Sequence, residues 1–240
     1  MGPASIPRVR DWQLSLGLSP NFGERRDGAT PDIIVLHYTA MPDWCAARDW
    51  LCNPEAEVSA HYIISEQGDV VQMVAEDQRA WHAGAGSWGD ITDVNSRSIG
   101  IELNNTGSAP FAAALMDALD RLLPEIMTRW AIPPERVIAH SDLAPGRKID
   151  PGAKFDWARL VRSGLAVAAT PPAAVAANED AFVRDLAVVG YDAAVSTDVL
   201  LAAFRLRHRQ GQDGPLDGWD CAIAADLAQR FPIDRLALRS

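Results

Sequence analysis

The sequence predicts an α/β fold, a mixed central β-sheet flanked by helices, followed by a small C-terminal three-helix domain. Three observations lead there. Short β-branched runs recur through the first 140 residues, amphipathic helical patterns lie between them, and an uncharged Pro/Ala stretch separates this region from a tail with helical periodicity only.

The strand signals come first. Residues 33–39 (IIVLHYT), 98–104 (SIGIELN) and 136–140 (RVIAH) are rich in β-branched residues, end in polar or turn residues, and should form the centre of the sheet. HYIIS and VVQMV are joined by Glu66-Gln67-Gly68-Asp69, whose glycine suits the positive φ of a hairpin connection, so this pair should be antiparallel. Residues 43–51 place Trp44, Ala47 and Leu51 on one helix face, and Phe111, Leu115, Leu119 and Leu122 continue a second pattern. Pro124 falls inside that second pattern and either kinks the helix or begins a new one.

The domain division follows from the stretch AVAATPPAAVAAN, which has no charge and no aromatic residue. It sets a first domain at 1–166, including an N-terminal arm, a linker at 167–177 and a helical domain at 178–240. In the latter, 179–189, 197–208 and 219–231 are short amphipathic helices punctuated by Gly190, Gly211, Gly214 and Gly218. A bundle of that size is near the lower limit for independent folding.

Composition excludes several classes of function. A formal net charge of −10 disfavours a partner held through its phosphates, so nucleic acid is not expected. Three cysteines without C-x-x-C spacing fit neither a disulfide framework nor a thiolate metal site. The first residues lack the apolar run of a secretory leader, and no run of about 18 apolar residues could span a membrane. The expected compartment is the cytoplasm, with a periplasmic or outer-membrane-associated location as the alternative had a leader been removed.

Candidate chemistry gathers at the ends of the predicted strands. His37 shares a strand face with Ile33 and Val35, and His140 ends RVIAH. Taken alone, either imidazole reads better as a hydrogen-bonded core residue than as a ligand. Glu102 lies between Ile101 and Leu103 in a predicted central strand, where a buried carboxylate needs a cation, unless Gly100, Glu102 and Asn104 face water. Asp150 follows His140 by ten positions in HSDLAPGRKIDPG, whose Pro-Gly turns could bring it back; it could also simply cap a turn. Two imidazoles and one carboxylate suit Zn²⁺, whose catalytic sites use three protein ligands and leave a fourth position for water.

These residues sit in longer blocks. SPNFGERRDGATPDIIVLHYTA, SAHYIISEQGDVVQMVAEDQRAWHAG, NSRSIGIELNN and AHSDLAPGRKIDPGAKFDW together resemble the zinc N-acetylmuramoyl-L-alanine amidases of the AmpD/AmiD type, relatives of peptidoglycan recognition proteins. The resemblance implies zinc ligands at His37, His140 and Asp150, a catalytic glutamate at Glu102 and a catalytic lysine at Lys148. It implies hydrolysis of the lactyl amide between N-acetylmuramic acid and L-alanine in peptidoglycan or muropeptides. A non-catalytic muropeptide-recognition module of the same fold is the alternative. In RAWHAG, Arg79 could pair with a stem-peptide carboxylate and Trp81 could pack against sugar or peptide. His82 lines the cleft or holds its loop, His61 reads as structural, His208 as an exposed helix residue, and Arg147 as pointing outward. Tyr38 should face away from His37, and Asn104 and Asn105 bond substrate or cap the strand. The tail resembles the small peptidoglycan-binding domain appended to AmiD-type members.

Overall fold

The computed structural model describes residues 14–16 and 19–233, so most of the expected N-terminal arm and the end of the chain lie outside the described residues. Strands β1 (Leu14–Leu16), β3 (Ile33–Tyr38), β4 (Tyr62–Ile64), β5 (Val70–Gln72), β7 (Ser98–Leu103) and β8 (Val137–Ala139) form one sheet in the order β1-β5-β4-β7-β3-β8. β2 (Phe22–Glu24) and β6 (Gln78–Ala80) make a separate antiparallel ribbon. The sheet is mixed, as expected. β4, β7, β3 and β8 run parallel, β5 returns antiparallel to β4 through the turn containing Gly68, and β1 pairs parallel with β5.

Period-two alternation divides the interior. Ile34, Leu36, Ile99, Ile101, Val137 and Ala139 point into one core with Leu115, Leu119, Leu122 and Ile126 of α3 (Ala113–Trp130). Pro124 neither kinks the chain into two helices nor starts a new one; α3 runs through it as a single element. Helix α1 (Trp44–Leu51), capped by the Asp43 carboxylate on the Cys45 N–H, covers Ile63 and Val71 with Ala47 and Leu51. Two short helices, α2 (Val94–Arg97) and α4 (His140–Leu143), immediately precede β7 and follow β8, and α5 (Trp157–Arg162) packs beside α3.

The C-terminal helices α6 (Glu179–Val189), α7 (Thr197–His208) and α8 (Gly218–Arg230) form where the periodicity placed them. They do not bury their apolar faces on one another alone. Phe182, Leu186, Leu200, Phe204 and Leu227 share one buried cluster with Ile33, Val35, Trp88, Ile138 and Leu143. Burying those faces on the sheet supplies the apolar area that so small a bundle lacks. Gly190 marks the seam: its φ is +130°, its carbonyl accepts from the Gly89 N–H at 2.7 Å, and a Cβ there would lie 2.6 Å from the Trp88 ring.

Candidate metal centre and active site

The site lies at the carboxyl ends of the parallel strands, where open α/β sheets commonly place their ligands. His37 is on the Ile33/Val35 face of β3, and the register sets it directly beside Glu102 on β7. His140 opens α4 one residue after β8 ends. The loop from Ala144 turns through Arg147 and Lys148, whose backbone N–H groups both donate to the Ala144 carbonyl. The Ser141 N–H then donates to the Asp150 carbonyl at 3.0 Å. That bond returns Asp150 to His140, and His37, His140 and Asp150 are all buried.

The hydrogen-bond network assigns both histidine tautomers. The Ser98 hydroxyl donates to the Val94 carbonyl at 2.6 Å, so its oxygen accepts from His82 Nε2–H at 3.1 Å. Neutral His82 then has only an acceptor left at Nδ1, and His37 Nε2–H donates to it at 3.0 Å. His140 Nε2–H donates to the Ala83 carbonyl at 2.9 Å. His37 and His140 therefore each present a bare Nδ1 lone pair inward. The two Nδ1 atoms are 2.9 Å apart, and Asp150 Oδ2 lies 3.0 Å from one and 2.9 Å from the other. Three acceptors converge with no proton assigned among them, a donor set that a cation satisfies. Among the described residues these three form the one group of side chains that could hold a metal ion.

Gly100 makes room for this network, since a Cβ there would fall 2.4 Å from the His82 ring. Gly100→Ala should push His82 off His37 and raise the metal dissociation constant about 10- to 100-fold, the usual range for a lost outer-shell partner. Equilibrium metal competition measures this, and an unchanged constant would remove His82 from the support of His37.

Glu102 has one carboxylate oxygen, Oε2, buried without a hydrogen-bond partner. Burial, followed by the nearby Asp150 charge and opposed by Lys148, pushes its carboxyl up to about 8. Lys148 is half-buried in the same cleft. The cleft measures about 560 Å³ and is also lined by Tyr38, Trp50, Trp81, Arg147 and Ile149. Trp50 and Ile149 are 54% and 61% exposed there. Trp50 was missed because it belongs to the outer face of α1; an exposed tryptophan beside a helix's buried stripe was the available signal.

Several expectations need correction. Arg79 is not free for a substrate carboxylate: its guanidinium donates to Asp93 at 2.8 Å, and the residue does not line the cleft. Arg147 is an exposed residue, yet its guanidinium donates to the Ala83 carbonyl at 2.7 Å and so does not simply point outward. Tyr38 alternates away from His37 yet still reaches the cleft wall, where it packs near Gly107 and Gly152. His208 is half-buried, its ring 5.1 Å from that of Phe204, because α7 packs on both sides. His61 is structural, accepting from the Gly100 N–H at 2.9 Å. Asn104 donates to the Met41 carbonyl and Asn105 accepts from the Gly107 N–H, so both hold loops at the strand end.

Burial also sets an acid limit on the metal-free chain. It holds His37 at about 4 and His61 at about 3, against an ordinary 6.5. The unfolded chain therefore binds more protons between those values, and the stability that the neutral rings confer is present above about pH 6.5 and lost as pH falls toward 4 and then 3. Glu102, shifted the other way, offsets part of this. The urea midpoint of metal-free protein should fall between pH 7 and 4; a rise over that interval would contradict the buried neutral imidazoles.

Residues 27–153 match the family model described as N-acetylmuramoyl-L-alanine amidase. AmiD of Escherichia coli K12 is 38% identical over 149 residues, which are 55% of this chain and 53% of AmiD, so the match spans about half of that relative's length. AmpD of Citrobacter freundii, a 1,6-anhydro-N-acetylmuramyl-L-alanine amidase, is 34% identical over 159 residues, covering 59% of this chain and 85% of AmpD. The structure of E. coli AmiD with the substrate anhydro-N-acetylmuramic acid-L-Ala-D-γ-Glu-L-Lys superposes with a TM-score of 0.75 at 32% identity, over 86% of this chain and 93% of that one. The chain belongs to the N-acetylmuramoyl-L-alanine amidase family.

Proposed function

We propose that the chain is a zinc-dependent amidase that hydrolyses the lactyl amide between N-acetylmuramic acid, or its 1,6-anhydro form, and L-alanine. The observation that supports this most is the convergence of His37 Nδ1, His140 Nδ1 and Asp150 Oδ2 beside the unpartnered carboxylate oxygen of Glu102. Two imidazoles and a carboxylate are a zinc donor set, and zinc held there supplies a Lewis acid that sharpens water as a nucleophile and polarises the scissile carbonyl.

The remaining work falls to the chain's own residues. Glu102 takes a proton from the attacking water and passes it to the alanine nitrogen as the amide breaks. A carboxyl raised by burial is suited to both steps, since it holds and releases a proton near neutrality. Lys148 stabilises the negative charge that gathers on the carbonyl oxygen. Trp81, on the cleft wall, packs against sugar or stem peptide. Arg79 has no part in this reading, because Asp93 occupies its guanidinium.

The helices at 178–240, beyond the linker at 167–177, are proposed to add affinity for polymeric wall. Trp219 is 44% exposed on α8, and Trp219→Ala should weaken co-sedimentation with insoluble sacculi several-fold without altering cleavage of soluble fragments. No described helix is long and apolar enough to cross a membrane. Cell fractionation separates cytoplasmic from periplasmic placement, which correspond to recycled fragments and intact wall as substrate.

The reading is tested by stripping the protein with a chelator and reloading it with one equivalent of zinc. Stem peptide should be released from an anhydromuropeptide only after reloading, with sacculi assayed alongside. Binding of the fragment by zinc-loaded protein with no released peptide would make the chain a recognition module instead.

A further inference from the structure

We infer that the C-terminal helices position the metal ligand His140, through a buried contact between Asp142 on α4 and Arg207 and Tyr191 of the helical region; the inference rests on the metal-binding reading above. Asp142 lies two residues after His140 on the same single turn of helix, and its side chain is completely buried. Its Oδ2 accepts from the Ala139 N–H at 2.9 Å, which secures the start of that turn. The same oxygen accepts from Arg207 Nη1 at 2.7 Å, and Oδ1 accepts from the Tyr191 hydroxyl at 2.7 Å. Two of the three donors therefore come from the C-terminal region.

Arg207 is itself fixed. Its guanidinium carbon lies 4.5 Å over the Trp157 ring of α5, and the residue is buried at the end of α7. Tyr191 is held by its ring against Trp88 at 5.2 Å. Removing these donors would leave the fully enclosed Asp142 carboxylate bonded to a single backbone N–H, an arrangement it relieves by rotating toward other donors. That rotation disturbs the turn that aims His140 Nδ1. The disturbance reaches a second ligand, because the Ser141 N–H of that turn holds the Asp150 carbonyl. Two of the three ligands thus depend on a contact supplied from beyond the linker.

A neighbouring pair provides the contrast. Arg205, two residues earlier on α7, is paired with Asp220 of α8 at 2.5 Å and is equally buried, but its partners all lie within the C-terminal region. Arg205→Met should loosen the bundle without touching Asp142. Arg207→Met should act on the metal centre.

The test uses the protein with both regions present and measures zinc affinity by competition with a chromophoric chelator, beside the visible spectrum of the Co²⁺-loaded form and the urea midpoint. Arg207→Met is expected to raise the zinc dissociation constant 10- to 100-fold and alter the cobalt spectrum, Arg207→Lys to recover part of the loss, and Arg205→Met to leave both readouts at wild-type values. Tyr191→Phe, which removes one hydroxyl, should raise the constant a few-fold and serves where Arg207→Met does not fold. Unchanged zinc affinity in Tyr191→Phe and folded Arg207→Met would overturn the inference, as would an equal loss in Arg205→Met. Failure of the wild-type protein to bind zinc would instead overturn the metal reading on which it rests.

Discussion

Glu102→Gln is expected to keep the metal bound while lowering kcat about 10²- to 10⁴-fold, the range assigned to a lost general acid–base. Gln matches the shape of the carboxylate but cannot accept the water's proton, and Glu102 is not among the three converging ligand atoms. Metal content should therefore stay at one equivalent while turnover falls. The same substitution should stabilise the metal-free chain at alkaline pH. A carboxyl raised to about 8 stabilises the fold most when protonated, below its unfolded value of 4.5, and that contribution is lost as pH rises through the folded value. Gln does not titrate, so the difference in melting temperature between variant and wild type should widen from pH 5 to pH 9. Wild-type turnover by Glu102→Gln would remove the residue from the mechanism; a difference independent of pH would contradict its buried ionisation.

Truncation after the linker, near residue 177, is expected to cost the first region its stable fold. Such a cut uncovers Ile33, Val35, Trp88, Ile138 and Leu143, which pack against Phe182, Leu186, Phe204 and Leu227. Each large apolar side chain returned to water forfeits up to about 1.5–3 kcal/mol. Asp142 would also lose Arg207 and Tyr191, and stripping one partner from a buried ion pair costs roughly 3–5 kcal/mol. Together these losses rival the whole stability of a domain, about 5–15 kcal/mol. The truncated chain should be insoluble or melt at least ten degrees lower, by calorimetry. An unchanged melting temperature would show that the two regions are independent, as the Pro/Ala stretch alone suggests.

The elements legible in the sequence are those set by local pattern. Alternation in IIVLHYT placed His37 on the Ile33/Val35 face, and the Pro-Gly turns after His140 anticipated the return of Asp150. Helices α6 and α7 begin and end where their periodicity does. Illegible features depend on partners far along the chain. Arg79 looks like any cleft arginine until Asp93 is folded against it, and Asp142 looks like a turn aspartate until Arg207 arrives from 65 positions away. His208 was misplaced for the same reason: a helix's apolar stripe identifies one packed face, and α7 has a second one against the first region. His37 and His140 were legible as candidates because they lie at the ends of strongly patterned strands, and Asp150 because Pro-Gly turns flank it; the contacts that steady these three side chains come from distant segments and were not.

Turnover in ¹⁸O-labelled water tests most directly whether water deprotonated by Glu102, beside the zinc donor set of His37, His140 and Asp150, attacks the lactyl carbonyl. Zinc-loaded protein is given anhydro-N-acetylmuramic acid-L-Ala-D-γ-Glu-L-Lys, and the products are weighed by mass spectrometry. Two products are expected, a peptide with a free alanine amino group and an anhydromuramic acid whose new lactyl carboxylate contains one labelled oxygen. Recovery of the intact fragment, or label in any other bond, would contradict that attack.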